Sequence, residues 1–243
     1  MTILNQLLQN SKSVFSFETS WLSDILPRYN IPGIKIMITI IDYKAGNLTS
    51  VELAIRHIGF DVEITDDPGK VLKAQRIIFP GVGAAKAAME NLRTLKLYEP
   101  IKQVIAEKIP FLGICIGMQL MFDLSWENDN TTCLGMIEGT VKKFQPSKPQ
   151  DKIPHMGWNS VNFTKDHPVF AGLANQSEFY FVHSYYPCPA NESDIIGKTD
   201  YADVVFASAV AKDNLIATQF HPERSGRIGL KLLENFCNWN RIC

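Results

Sequence analysis

The chain has 243 residues, with 24 Lys+Arg against 25 Asp+Glu and a formal net charge of −1. Hydrophobic residues make up 46% and charged residues 20%, a globular composition that excludes disorder, collagen-like repeats and long charged tails. The balance points to no nucleic acid and no membrane as a general partner: no apolar run reaches the roughly 18–20 residues of a span, and the N-terminus does not read as a secretory signal. Cys115, Cys133, Cys188, Cys237 and Cys243 are odd in number and sit at no metal-ligand spacing, so reduced thiols in a cytoplasmic protein are expected. His57, His155, His167, His183 and His221 are scattered, with little carboxylate nearby, so no metal and no cofactor is expected.

Residues 1–36 stand apart as an N-terminal extension. They carry two short amphipathic patterns, at Ile3, Leu4, Leu7, Leu8 and at Trp21, Leu22, Ile25, Leu26, followed by the breakers Pro27, Pro32 and Gly33. They read either as a helical appendage on the domain or as a stretch upstream of a true translation start at Met37. From there the pattern sharpens. Met37–Ile41 is a buried strand, and Asn47 or Thr49 can cap a helix carrying Leu48, Val51, Ile55 and Ile58. Asp61–Thr65 and residues 76–79 read as strands, 84–92 and 99–108 as helices, and 111–114 as a fourth strand that runs into a helix over 117–124. This alternation predicts an α/β fold, an open mostly parallel sheet flanked by helices. Short strands at 139–144, 160–163, 179–182, 204–211 and 215–219 suggest antiparallel additions to that sheet, and a helix over 226–239 closes one domain spanning 37–243.

The most informative segment is Gly113-Ile-Cys115-Ile-Gly117 at the end of the fourth strand. A nucleophile flanked by glycines two residues away, between strand and helix, has the pattern of a nucleophile elbow. The sharp turn lifts Sγ above the strand ends, and the N-terminus of the following helix favours a thiolate. The Ile116 N–H then points at a developing oxyanion. Taken alone, the same residues fit a buried structural cysteine between packing glycines. His221-Pro-Glu223 after another strand weighs against that: His221 can act as base and acid for Cys115, and Glu223 can hold its tautomer. Pro80-Gly-Val82-Gly83 ends a third strand, where the glycines let a backbone N–H face a ligand. Carboxyl ends of neighbouring strands form the ligand crevice of an open α/β sheet, so these loops are expected to meet.

The Pro80–Gly83 loop, the Cys115 elbow and the His-Pro-Glu turn, in that chain order, resemble the motifs of the class I (triad) glutamine amidotransferases, whose fold is flavodoxin-like. Ile41-Asp-Tyr-Lys-Ala-Gly-Asn47, Pro154-His-Met-Gly-Trp-Asn159, Phe181-Val-His-Ser-Tyr185 and Ala217-Thr-Gln-Phe-His-Pro-Glu-Arg-Ser-Gly226 narrow the resemblance to the glutaminase subunits of imidazole glycerol phosphate synthase. It runs from about Met37 to the C-terminus, which favours the start at Met37. The resemblance implies that Cys115 attacks the glutamine side-chain amide and that His221 and Glu223 complete the triad. It implies an oxyanion hole from Val82 or Gly83 with Ile116, and substrate contacts from Gln119, His183, Ser184 and Tyr185. It further implies a (β/α)8-barrel cyclase as partner in a heterodimer, which receives ammonia through a channel in histidine biosynthesis, with Met156, Trp158, Asn159 and Arg224 toward that partner. Arg224 stands where the family usually has Lys, which changes the geometry of that charge. The nearest alternative is a paralogous glutaminase supplying ammonia to a sugar amidotransferase of surface-polysaccharide synthesis. A non-catalytic scaffold subunit is disfavoured by the intact Cys115, His221 and Glu223, and a thiol peptidase only by the resemblance at Gln119 and His183-Ser-Tyr185.

Overall fold

In the computed structural model the residues described are 36–127, 130–148 and 150–239. The extension over 1–36, apart from its last residue, and Cys243 lie outside them, as do the two amphipathic patterns.

The first half alternates as its hydrophobic pattern predicts. It runs β1 (Met37–Ile41), α1 (Leu48–His57), β2 (Asp61–Thr65), α2 (Pro68–Leu72), β3 (Arg76–Gly81), α3 (Ala85–Thr94), α4 (Tyr98–Ala106), β4 (Phe111–Cys115) and α5 (Ile116–Gln119). The second half is mostly strand: β5 (Leu124–Ser125), β6 (Thr131–Thr132), β7 (Gly139–Lys143), β8 (His155–Phe163), β9 (Ser177–His183), β10 (Tyr185–Pro189), β11 (Ile195–Tyr201), β12 (Val204–Lys212) and β13 (Leu215–Thr218), closed by α6 (Gly226–Asn238).

Nine strands form one sheet in the order β2-β1-β3-β4-β13-β12-β11-β8-β9. The first five are parallel, and β12, β11, β8 and β9 continue it antiparallel. Strand alternation sends Leu112 and Ile114 of β4 to one face, among Val51 and Ile55 of α1 and Leu232, Leu233 and Phe236 of α6. Phe111 faces the other way, among Met89 and Leu92 of α3 and Ile101 and Val104 of α4. Each such side chain is fully buried, worth about 1.5–3 kcal/mol of transfer free energy apiece.

Three expectations need correction. The strand over 139–144 does not extend the main sheet: β7 pairs with β10 and β5 in a separate four-stranded sheet, β10-β7-β5-β6. The helix over 117–124 is a single turn. The carbonyls of Leu120, Met121 and Phe122 accept from Leu134, from Met136 and Ile137, and from Gly135, so the returning chain takes the acceptors a longer helix would use. Asn47 does not cap α1 with its side chain. It lies in the left-handed region at φ 64°, and its amide is used elsewhere. The short α2 went unpredicted although Asp67-Pro68 begins it: Asp67 accepts from the N–H groups of Gly69 and Lys70, and Pro68 opens the first turn.

Candidate active site

Three neighbouring parallel strands, β3, β4 and β13, end at the same edge. Gly81 pairs in register with Cys115, and Thr218 with Ile114. The sheet therefore delivers the Pro80–Gly83 loop, Cys115 and the segment leading to His221 to one place.

Cys115 holds φ 55° and ψ −108°, a backbone strained for any residue with a Cβ. The flanking glycines make the turn possible. A Cβ on Gly117 would lie 1.9 Å from the Phe79 carbonyl oxygen, and one on Gly113 would lie 2.9 Å from the Gly117 carbonyl oxygen. With α5 reduced to one turn, the helix dipole offers the sulfur little. The sulfur is held instead by one side-chain donor and one backbone acceptor. Gln219 Nε2 donates to Cys115 Sγ at 3.6 Å, and Sγ lies 3.9 Å from the Val182 carbonyl.

His221 Nδ1 donates to Glu223 Oε1 at 2.7 Å, with both side chains out of solvent. Pro222 and the 3-10 turn Pro222–Arg224 bring the carboxylate back onto the ring. Asn47 Nδ2 donates to the same carboxylate oxygen at 2.8 Å. It lies 3.5 Å from His221 Nδ1, so two donors converge on one acceptor. Burial lowers the His221 pKa. The proximity of Cys115, reinforced by the hydrogen bond to Glu223, outweighs burial and raises the pKa to about 10. The imidazole is thus held as a cation against the cysteine. This is an arrangement for nucleophilic acyl chemistry: a thiol, a proton carrier and an orienting carboxylate.

Beside Cys115 opens a cleft of about 310 Å³, lined by Val82, Gly83, Ile116, Gln119, Glu127, Val182 and the run from His183 to Tyr185, with Pro154 at its edge. It is of a size for a small amino acid. Glu127 is the one carboxylate among the described lining residues, and its Oε2 accepts from the Ala85 N–H at 2.6 Å. Gln119 is buried, and Nε2 donates to the Tyr185 carbonyl and to Gln219 Oε1, each at 3.0 Å. Both amide protons are thereby used, leaving Oε1 to offer a ligand. The Val82 N–H donates to the Ala45 carbonyl at 2.8 Å, so in this conformation it is turned to the β1–α1 loop.

A class-I glutamine amidotransferase family model matches residues 39–239. The imidazole glycerol phosphate synthase subunit HisH of Methanocaldococcus jannaschii is 51% identical over 200 residues, covering 82% of this chain and 98% of that protein. The HisH subunit of Dehalococcoides mccartyi is 48% identical over 200 residues, covering 82% and 96%. That of Sulfurimonas denitrificans is 47% identical over 208 residues, covering 85% and 100%. The chain belongs to the class-I glutamine amidotransferases, in the HisH family. Solved structures share the fold at low identity. PurLQS from Thermotoga maritima superposes with a TM-score of 0.64 at 17% identity, covering 84% of this chain and 99% of that one. A glutamine amidotransferase from the same organism gives 0.59 at 15% identity, covering 83% and 82%.

In this member of the HisH family, the structure brings together Cys115, His221 and Glu223, and around them Val82, Gly83, Ile116, Gln119, His183, Ser184 and Tyr185. His183 differs in detail from a direct contact through its ring, whose two nitrogens are occupied by Tyr185 O and His155. Met156 and Trp158 are 62% and 55% exposed on one face of β8, and Arg224 is exposed at the end of the His-Pro-Glu turn. Asn159 does not share that face. Its amide points the other way, toward His155 and the Asp200 carbonyl, as period-two alternation requires. Sequence reasoning missed Asn47 as a partner of Glu223, Glu127 in the cleft and Gln219 beside the sulfur. Asn47 and Gln219 lie inside quoted segments, whereas Glu127 had no motif to mark it. Among the described residues no group of three or more His, Cys, Asp or Glu side chains is placed to hold a metal, and no helix is long and apolar enough to cross a membrane.

Proposed function

We propose that this chain hydrolyses glutamine to glutamate and ammonia as the glutaminase subunit of an imidazole glycerol phosphate synthase. The observation that carries the reading is the Cys115 elbow at the head of an amino-acid-sized cleft, with the His221 ring held by Glu223 at the neighbouring strand end. In this mechanism Cys115 Sγ, as thiolate, attacks the side-chain carbonyl carbon of glutamine. The tetrahedral intermediate collapses as the amide nitrogen takes a proton from His221 Nε2 and leaves as ammonia. The resulting glutamyl thioester is attacked by water, whose proton passes to His221, and glutamate leaves as the thiolate reforms. Glu223 keeps Nδ1 protonated, so Nε2 is the atom that exchanges protons. The carboxylate of Glu127 suits the α-ammonium of the substrate. The oxyanion is met by the Ile116 N–H and by Val82 or Gly83. For Val82 to serve, its bond to Ala45 must break and the peptide must turn.

The ammonia passes to a (β/α)8-barrel cyclase, which forms imidazole glycerol phosphate and aminoimidazole carboxamide ribotide. The exposed Met156 and Trp158, with Arg224, form the docking face, an apolar anchor with a charged neighbour. The amidotransferase domain is 37–243, and the setting is the cytoplasm. Identities of 47–51% to HisH subunits do not favour the polysaccharide-pathway alternative. The test is glutaminase activity of the full chain with and without the cyclase and its nucleotide substrate. Strong activation supports the reading, and robust activity indifferent to the cyclase refutes it. Complementation of a histidine-requiring strain lacking this subunit separates the two pathways.

A further inference from the structure

A histidine pair that the acyl chemistry does not use lies under the cleft. His155 of β8 and His183 of β9 are cross-strand partners, both buried. His155 Nδ1 is 3.0 Å from His183 Nε2, and His183 Nδ1 is 2.8 Å from the Tyr185 carbonyl oxygen. At the other end Asn159 Nδ2 is 3.3 Å from His155 Nε2 and donates to the Asp200 carbonyl at 2.9 Å.

The protons in this chain can be assigned by elimination. A carbonyl oxygen only accepts, so His183 carries its proton on Nδ1. A neutral ring then has Nε2 as acceptor, so His155 must donate from its own Nδ1. That leaves His155 Nε2 as acceptor, and an amide N–H from Asn159 faces it. One assignment satisfies every link, and the donors all point the same way, from Asn159 to Tyr185. The His155 ring cannot turn to break the order, being stacked between Tyr201 and Phe181 at centroid distances of 3.8 and 4.8 Å. The chain continues into the site. Tyr185 O also takes Gln119 Nε2, whose second proton goes to Gln219, and Gln219 donates to Cys115 Sγ.

We infer that His155 is a positioning residue for glutamine hydrolysis. It holds His183 in the Nδ1–H tautomer, keeps the Tyr185 carbonyl and the Gln119 amide aligned under the cleft, and ties that alignment to the strand carrying Met156 and Trp158. The inference rests on the glutaminase reading proposed above.

Three variants of the full chain test it, assayed with the cyclase and its nucleotide substrate. His155→Phe keeps an aromatic ring in the stack and removes both hydrogen bonds. His155→Asn keeps an N–H where Nδ1 was. Asn159→Asp replaces the amide facing His155 Nε2 with an acceptor. Loss of the buried bond to His183, the one of the two that leads to the cleft, predicts a glutamine KM raised roughly tenfold in His155→Phe, with kcat changed by less than about threefold. His155→Asn recovers most of that loss. Imidazole ¹⁵N NMR of the wild type shows protonated Nδ1 and unprotonated Nε2 on both rings, and Asn159→Asp moves the His155 proton pattern. A wild-type KM in His155→Phe, or Nε2–H on either ring of the wild type, overturns the inference. A wild-type chain without glutaminase activity overturns the function itself, and the NMR assignment distinguishes the two failures.

Discussion

Asn47 gives the sharpest perturbation of the triad without touching its three members. The Glu223 side chain is fully buried, and Oε1 accepts from both Asn47 Nδ2 and His221 Nδ1, while Oε2 has no hydrogen-bond partner among the described residues. Asn47→Ala therefore leaves a buried carboxylate with His221 as its one remaining donor there. A hydrogen bond to a charged group contributes about 1.5–3 kcal/mol, and part of that loss reaches the transition state, in which His221 moves protons. The expected effect is a kcat reduced roughly 10- to 100-fold, with glutamine KM within about threefold of wild type, because Asn47 does not line the cleft. Asn47→Asp places a second carboxylate against Glu223 and is expected to do worse than Ala. The assay is steady-state glutamate release with the cyclase and its nucleotide substrate, alongside a urea unfolding curve to show that the variant is folded. A folded Asn47→Ala protein with wild-type kcat would refute the idea that Glu223 needs this donor.

Further outcomes follow from the same geometry. In NMR titrations His221 should stay protonated through neutral pH, and Cys115→Ala should move its pKa down, because Cys115 is the largest factor raising it. Its raised pKa stabilises the fold fully below the ordinary value of about 6.5, and that stabilisation is lost as pH rises toward about 10; Cys115→Ala should flatten this alkaline loss in unfolding experiments. Burial lowers the pKa of His155 and of His167 to about 4 and that of His183 to about 3, so the unfolded chain binds more protons below about pH 6.5. Stability should fall as pH drops from there, and His155→Phe should reduce the slope. Gly117→Ala would set a Cβ 1.9 Å from the Phe79 carbonyl oxygen, and its urea midpoint should show a loss of at least about 3 kcal/mol. Trp158→Ala should leave the isolated domain's stability unchanged and weaken binding to the cyclase, measurable by calorimetry.

The meeting of Cys115, His221 and Glu223 at one sheet edge was legible in the sequence because each lies at or just after a strand end with a local signature: glycines around Cys115, a proline stiffening the turn between His221 and Glu223. Of the parallel strands, β1, β3, β4 and β13 were legible as mainly apolar runs, and the edge strand β2 by its polar–apolar alternation. What stayed hidden depends on contacts far apart in the chain. Asn47 has the composition of a helix cap, and only the fold reveals that its amide crosses 176 positions of sequence to Glu223. The helix over 117–124 satisfies helical spacing, yet the returning residues 134–137 claim its carbonyls. β7 reads as a short strand, and nothing local says which sheet it joins. Asn159 and Trp158 look equivalent in a motif, while strand alternation sends them to opposite faces.

The central claim is that ammonia released at Cys115 is handed to a cyclase. It is tested most directly by supplying glutamine labelled with ¹⁵N at the side-chain amide to the complex in an excess of unlabelled ammonium. The imidazole product should carry the label nearly undiluted, and Cys115→Ala should abolish its incorporation. Product carrying the isotope ratio of the bulk ammonium, or labelled product from Cys115→Ala, would contradict the account.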